Sequence, residues 1–285
     1  MTRRSAARRP WSLRAASLLV VAGLALTACQ SAGAPVNSHT VRPSSPVSSG
    51  TPGVAKTTAP GNGESSSPAT PPTNGTGAKV KSPKRKGYSI RYGPNRTARV
   101  ALTFDDCPRS LAEEKEVLQG ATDLGIGLML FPTGSCIHSK TFDPKFARKL
   151  GHYVFNHSNT HPLLTRLSYS GVLSQLGPPG VQSSYGRPPF GGWNSTVARA
   201  YAAKGMRMWV WSVDTNDWKG HSEAAVVKYV IRTARAGDTV LMHMQWNGFS
   251  VDALRKMQAG LAKRGLEVCR NSGTPTPVRS PDVYC

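Results

Sequence analysis

The sequence predicts a parallel α/β domain, its sheet open or closed into a barrel, over residues 96–285. Three observations carry that expectation. Short β-rich apolar runs alternate with capped helical stretches beyond residue 95. Acidic and imidazole side chains fall just after those runs, at strand C-terminal ends, where parallel folds assemble their sites. Residues 30–95 are rich in Ser, Thr, Pro and Gly and hold no apolar run able to build a core.

Residues 1–28 read as a signal peptide: Arg3, Arg4, Arg8, Arg9 and Arg14 without an acid, then an apolar run over 15–26. A run of that length is too short to cross a hydrocarbon layer of ~30 Å as a helix. Leu26-Thr27-Ala28-Cys29 resembles the lipobox of bacterial lipoproteins, so Cys29 is expected to carry a lipid anchor. An ordinary signal with an incidental Cys29 is the plainer alternative. The expected location is the outer face of a bacterial cell membrane, facing the wall. Residues 29–95 read as a disordered linker.

The formal charge of +21 is spread rather than focused: five signal arginines, +7 in the linker and +9 in the domain. The densest cluster, residues 79–86, has no interleaved aromatics for base stacking, so nucleic acid is not an expected partner. Anionic wall polymers, lipid headgroups or plain solvation account for it as well. The chain is expected to act as a monomer.

Within the domain, strands are expected at 99–104, 127–131, 153–155, 206–213, 239–242 and 266–269. Ser110 with Glu113 forms a capping box for a helix to about Leu124. Asn194 caps a helix to Lys204, Ser222 one through Arg235, and Ser250 one through Lys263. With Cys29 assigned to lipid, Cys107, Cys136, Cys269 and Cys285 form an even set in an oxidising compartment, and two disulfides are expected. Four cysteines allow three connectivities. Chain order favours Cys107 with Cys136, on the rims of the first two strands, and Cys269 with Cys285, tying down the Pro-rich tail.

Asp105 and Asp106 follow the first strand; His157 and His161 are four apart after the third; Asp214 and Asp217 follow the Trp-rich run; His243 ends the run at 239. Two imidazoles at this spacing suit a metal, although capping or surface histidines are the commoner meaning of that spacing alone. Two vicinal carboxylates behind a buried strand repel one another, and a cation or a fixed base role explains keeping both. One carboxylate with two imidazoles leaves a tetrahedral position for water, as in hydrolytic zinc sites.

The blocks 103–108 (TFDDCP), 157–161 (HSNTH), 187–191 (RPPFG), 214–218 (DTNDW) and 241–243 (LMH) occur in this order. In them the domain resembles the NodB-like polysaccharide deacetylases of carbohydrate esterase family four, from residue 96 to about 270. The resemblance implies a distorted (β/α) barrel and a hydrolase that removes N-acetyl groups from polysaccharide with zinc or another divalent metal. It implies that Asp106, His157 and His161 hold the metal and that Asp105 is the general base, oriented by Arg187. It further implies that the Phe190 N–H faces the oxyanion. His243 would protonate the departing amine, with Asp217 raising its pKa and fixing its tautomer. Trp218 and Leu241 would receive the acetyl methyl; ordinary core packing is the competing reading for both.

The sequence departs from the family at Cys107, where Gly is usual, in the shortened stretch between His161 and Arg187, and after His243, where Met244-Gln245-Trp246 replaces a frequent acid. Peptidoglycan is the preferred substrate, because an anchor and a tether spanning roughly 45 Å hold the domain within the wall. Chitin-like and acetylated xylan oligomers stay open. Two other function classes remain: a catalytically silent wall-glycan-binding lipoprotein, and a metal amidohydrolase acting on a small acylated molecule.

Overall fold

The computed structural model describes residues 87–177 and 181–285. The expected signal peptide, Cys29 and residues 29–86 of the expected linker lie outside the described residues, as do Pro178, Pro179 and Gly180.

In order, the elements are β1 (Ala101–Asp105), α1 (Leu111–Asp123), β2 (Met129–Phe131), α2 (Gly134–His138), α3 (Pro144–Lys149), β3 (Tyr153–Val154), α4 (Tyr169–Gln175), β4 (Tyr185–Gly186), α5 (Ser195–Ala203), β5 (Arg207–Met208), β6 (Val213–Asp214), α6 (Glu223–Thr233), β7 (Thr239–His243) and α7 (Val251–Lys263). The four expected caps are in place: Ser110, Asn194, Ser222 and Ser250 each accept a backbone N–H from the third residue onward.

Among the described residues all strand ladders are parallel. One sheet runs β3-β2-β1-β7-β6, and β4 pairs with β5. A bridge between Asn156 and Gly186 joins the two sheets, and residues 207–214 complete the ring by pairing with β4 at one end and β7 at the other. The expected parallel α/β fold, a distorted barrel, is what forms.

Strand alternation sorts the core. Leu102 and Phe104 of β1 face outward into the cluster built with Val117 and Leu118 of α1, Val226 and Val230 of α6, and Leu254 and Met257 of α7. Ala101 faces inward, with Met129, Phe131, Phe155, Tyr185 and Trp209. Thr103 and Asp105 share its phase, which brings a hydroxyl and a carboxylate into the barrel.

Several expectations are corrected. The run at 206–213 is two short strands rather than one, because Trp209 turns in to fill the barrel with its Nε1–H on Thr239 Oγ1, 3.1 Å away. The run at 266–269 is not a strand: it makes one bridge, Val268 to Val100, and its chain then turns to the Cys269–Cys285 link. Residues 87–95, expected as part of a disordered linker, are packed. Tyr88 stacks on Tyr185, Val210 N–H donates to Ile90 O at 2.8 Å, and Asn95 is buried. Gly93 sits at φ 59° against Trp209, where a Cβ would overlap the indole. Residues 87–95 thus pack on the barrel.

Both cysteine pairs are joined as expected, Cys107 to Cys136 with Cα atoms 5.3 Å apart and Cys269 to Cys285 with Cα atoms 4.2 Å apart. Among the described residues no helix is long and apolar enough to cross a membrane.

Candidate active site

Every polar residue expected in the site reaches one cleft of about 540 Å³ at the C-terminal rim of the barrel strands, or stands directly behind it. Asp105, Asp106, His157, His161, Trp218, Leu241 and His243 line it, together with Phe190, Trp211 and Asp214.

Asp106, His157 and His161 each turn one ligand atom inward, all within 4.8 Å of one another. Both imidazole Nε2 atoms face the same carboxylate oxygen, Asp106 Oδ1, at 3.6 Å from His157 and 3.5 Å from His161. His157 Nδ1 donates to the Arg187 carbonyl at 2.8 Å, which fixes the tautomer and leaves Nε2 free as a base. Burial, with His157 alongside, pushes His161 below the usual imidazole range, against the pull of Asp106 and Asp105. Burial raises the Asp106 carboxyl, but His157, Gln245, His161 and His243 outweigh it and hold the group below its ordinary value. A carboxylate ionised at neutral pH and two imidazoles with free Nε2 atoms are the donor set a divalent transition ion takes, so the residues fit one.

Arg187 is fully buried inside the barrel. Its Nη1 donates to Asp105 Oδ1 at 2.6 Å and to Thr103 Oγ1 at 3.0 Å, and its Nε and Nη2 donate to the carbonyls of Trp209 and Val210, both at 3.0 Å. The guanidinium also lies 3.9 Å from the Phe131 ring centroid. Four fixed partners leave Arg187 no freedom, so the other oxygen of Asp105 stays aimed at the cleft, 3.5 Å from His157 Nε2.

Across the cleft, His243 Nδ1 donates to Asp217 Oδ1 at 2.7 Å while Asp217 Oδ2 accepts the His243 backbone N–H at 2.8 Å. Burial alone would lower the His243 pKa, but the Asp217 hydrogen bond and the charges of Asp105, Asp217 and Asp106 raise it above the usual imidazole value. Its Nε2 is left as the proton-bearing atom on the cleft side. Trp218 is 49% exposed at the cleft, which removes core packing as its explanation, whereas Leu241 is buried and offers only its cleft face.

Backbone strain concentrates here. Asp106, Ser158, His161, Phe190 and Asn216 have φ between 52° and 68°; outside the site, the other described non-glycine residue with positive φ is Lys140. The left-handed position after β1 is therefore Asp106 itself and not Cys107, which explains how a cysteine replaces the expected glycine. Phe190 at φ 58° also sets its ring edge-on to His161, with centroids 4.6 Å apart.

Three contributors escaped the sequence reading. Gln245 Nε2 donates to Asp106 Oδ2 at 2.9 Å, which leaves Oδ1 for the imidazoles. Thr103 relays Arg187 to the Val240 carbonyl, accepting at 3.0 Å and donating at 2.7 Å. Trp211 walls the cleft beneath Gly191. The departure after His243 was the available signal for Gln245; strand phase was the signal for Thr103.

The family model described as polysaccharide deacetylase matches residues 92–209. The peptidoglycan-N-acetylmuramic acid deacetylase of Bacillus subtilis is 30% identical over 67% of this chain, which spans only 42% of that protein. A chitooligosaccharide deacetylase of Bradyrhizobium is 30% identical over 56% of this chain and 75% of its own length. Among solved structures, a family 4 carbohydrate esterase from Streptomyces lividans in complex with acetate superposes with a TM-score of 0.52 at 27% identity, covering 63% of this chain and 98% of that one.

Proposed function

Because this chain belongs to the NodB-like polysaccharide deacetylases of carbohydrate esterase family four, we propose that it is a metal-dependent hydrolase removing N-acetyl groups from polysaccharide at the bacterial surface. The observation that carries the reading is the joint one: an Asp106–His157–His161 cluster opening on a cleft with Asp105 fixed by Arg187 on one side and His243 fixed by Asp217 on the other. A silent glycan-binding protein would have no use for a base and an acid both held by buried partners.

Zinc or a similar divalent ion held by Asp106, His157 and His161 would polarise the acetyl carbonyl and make water a better nucleophile. Asp105, held by Arg187, takes the proton from that water as it attacks. The Phe190 N–H would face the oxygen that gains charge. His243, protonated because Asp217 and the nearby carboxylates favour its charged form, delivers a proton to the departing amine. Trp218 and Leu241 receive the acetyl methyl.

Peptidoglycan is the substrate we favour. The lipobox at Cys29 and the linker behind it would keep the domain within reach of the wall, and one relative in hand is a peptidoglycan deacetylase. Acetate release from peptidoglycan, chitin oligomers and acetylated xylan, with and without chelator, tests both the chemistry and the choice. No chelator-sensitive acetate from any of them would remove the enzyme reading. Cys29→Ser should release the protein from the membrane fraction with its activity unchanged, and a mutant that stays in that fraction would discard the anchor.

A further inference from the structure

A second cavity, of about 840 Å³, lies between α2, α3 and the C-terminal tail and shares no residue with the cleft. Leu111, Ile137, Phe142, Pro144 and Val278 give it apolar walls. Three cations also line it: Lys140 and Lys145, both exposed, and Arg148.

Arg148 is the unusual one. It is only 8% exposed, yet its Nε has no hydrogen-bond partner, and the contact recorded for the rest of its guanidinium is a marginal 3.5 Å from Nη2 to the Val154 carbonyl. A guanidinium brings five N–H donors and a permanent charge, and buried groups of this kind are otherwise paired. Arg187, the other buried arginine among the described residues, shows what full satisfaction looks like here, with an acid and three further acceptors. Among the described residues no acid does this for Arg148. Asp143, which also lines the cavity, has its Oδ1 engaged at the N-terminus of α3, accepting from Lys145 N–H at 2.9 Å and Phe146 N–H at 3.2 Å. Glu114, behind Asp143, has its pKa pushed up to about 8 by burial and is mostly uncharged at neutral pH. With Asp143 as the one acid in its lining against three cations, the cavity is net positive.

We propose that this cavity is a second binding site that takes a carboxylate borne on a small apolar scaffold, with Arg148 as the counter-ion. A planar carboxylate matches the guanidinium fork and would balance a charge that no ion pair of Arg148 balances. The apolar walls favour an alkyl-bearing acid over a hydroxylated phosphodiester, which would lose hydration there without compensation. The alanine-terminated peptide stems of peptidoglycan carry this chemistry and chitin does not. That identification of the source rests on the deacetylase reading, whereas the carboxylate site does not. One five-residue helix, α2, separates the cavity from the loop of His157 and His161, since Gly134 at its start packs on Asn159 and Ile137 near its end lines the cavity. A stem held at Arg148 would thus hold its glycan near the cleft.

The test is calorimetric titration of the full chain with acetyl-D-alanyl-D-alanine, its C-terminal amide, and glycerol 3-phosphate. The free acid should bind saturably, and both the amide and the Arg148→Gln variant should bind at least about tenfold more weakly, the loss of charge-assisted hydrogen bonds. Equal binding of acid and amide, or undiminished binding by Arg148→Gln, overturns the site. Binding of glycerol 3-phosphate without the dipeptide acid overturns the carboxylate assignment, and binding of neither overturns the proposal. Should Arg148→Gln melt early, the exposed pair Lys140→Ala and Lys145→Ala serves instead, with a several-fold weakening expected from lost attraction and unchanged affinity counting against the proposal. Binding is read without any deacetylation, so failure of acetate release leaves this result standing, and the reverse holds too.

Discussion

Arg187 donates to Asp105 at 2.6 Å with both side chains out of solvent, while the adjacent Asp106 is turned the other way by a left-handed backbone and held by Gln245. Two neighbouring carboxylates thereby acquire different surroundings and different work. Asp105→Asn should keep metal binding and lose about 10² to 10⁴ in turnover, the usual contribution of a general base. Asp106→Asn and His161→Ala should instead weaken the metal. Zinc titration beside acetate release separates the two effects, and an Asp105→Asn protein that arrives without zinc would reverse the assignment.

The Asp217–His243 pair predicts an alkaline limb. The folded pKa of His243 lies above the usual imidazole value, so the acid it supplies is present below that value and is lost as pH rises through the raised pKa. Asp217→Asn removes the largest raising influence and should move the alkaline limb of kcat toward lower pH, with turnover reduced. If the limb of the pH–rate profile stays in place in Asp217→Asn, another group is the acid.

The rim location of Asp105, Asp106, His157, Asp217 and His243 was legible because each directly follows a run with strong β character, and the caps at Ser110, Asn194, Ser222 and Ser250 were legible because capping is local chemistry. What stayed hidden was set by tertiary packing. β4 is two residues long and exists through its neighbours β5 and Asn156. The run at 206–213 changes partners halfway to close the ring. Residues 87–95 have linker-like composition yet pack because Trp209 offers a flat face that only Gly93 can approach. Gln245 finds Asp106 only once β7 lies beside β1.

The two disulfides should differ in consequence. Cys107 adjoins Asp106, and Cys136 Sγ lies 3.1 Å from the Asp106 carbonyl, so reducing this bond, or Cys107→Ser with Cys136→Ser, should weaken zinc binding. Cys269→Ser with Cys285→Ser should free the tail and cost roughly 3 kcal/mol of stability, the chain-entropy value for a loop of its size, with zinc affinity kept. Non-reducing peptide maps check the pairing, and a fragment linking Cys107 to Cys269 or Cys285 would refute it.

Glu114 predicts how stability changes with pH. Its carboxylate is buried beside α3 and accepts the Asp143 N–H at 3.0 Å, and burial pushes its pKa from the ordinary 4.5 up to about 8. The folded state therefore favours the protonated group, so this contribution is fully present below pH about 4.5 and is lost as pH rises toward 8, by up to about 1.4 kcal/mol per pH unit across the window. Glu114→Gln keeps an acceptor for Asp143 and cannot ionise. Its stability relative to the unmodified protein should improve steadily between pH 5 and pH 8 and then level off. Urea unfolding at pH 5, 7 and 9 measures the difference directly. A gap between the two proteins that does not change with pH would mean that Glu114 is ionised in the folded protein throughout, with the Asp143 N–H and Lys115 compensating its burial.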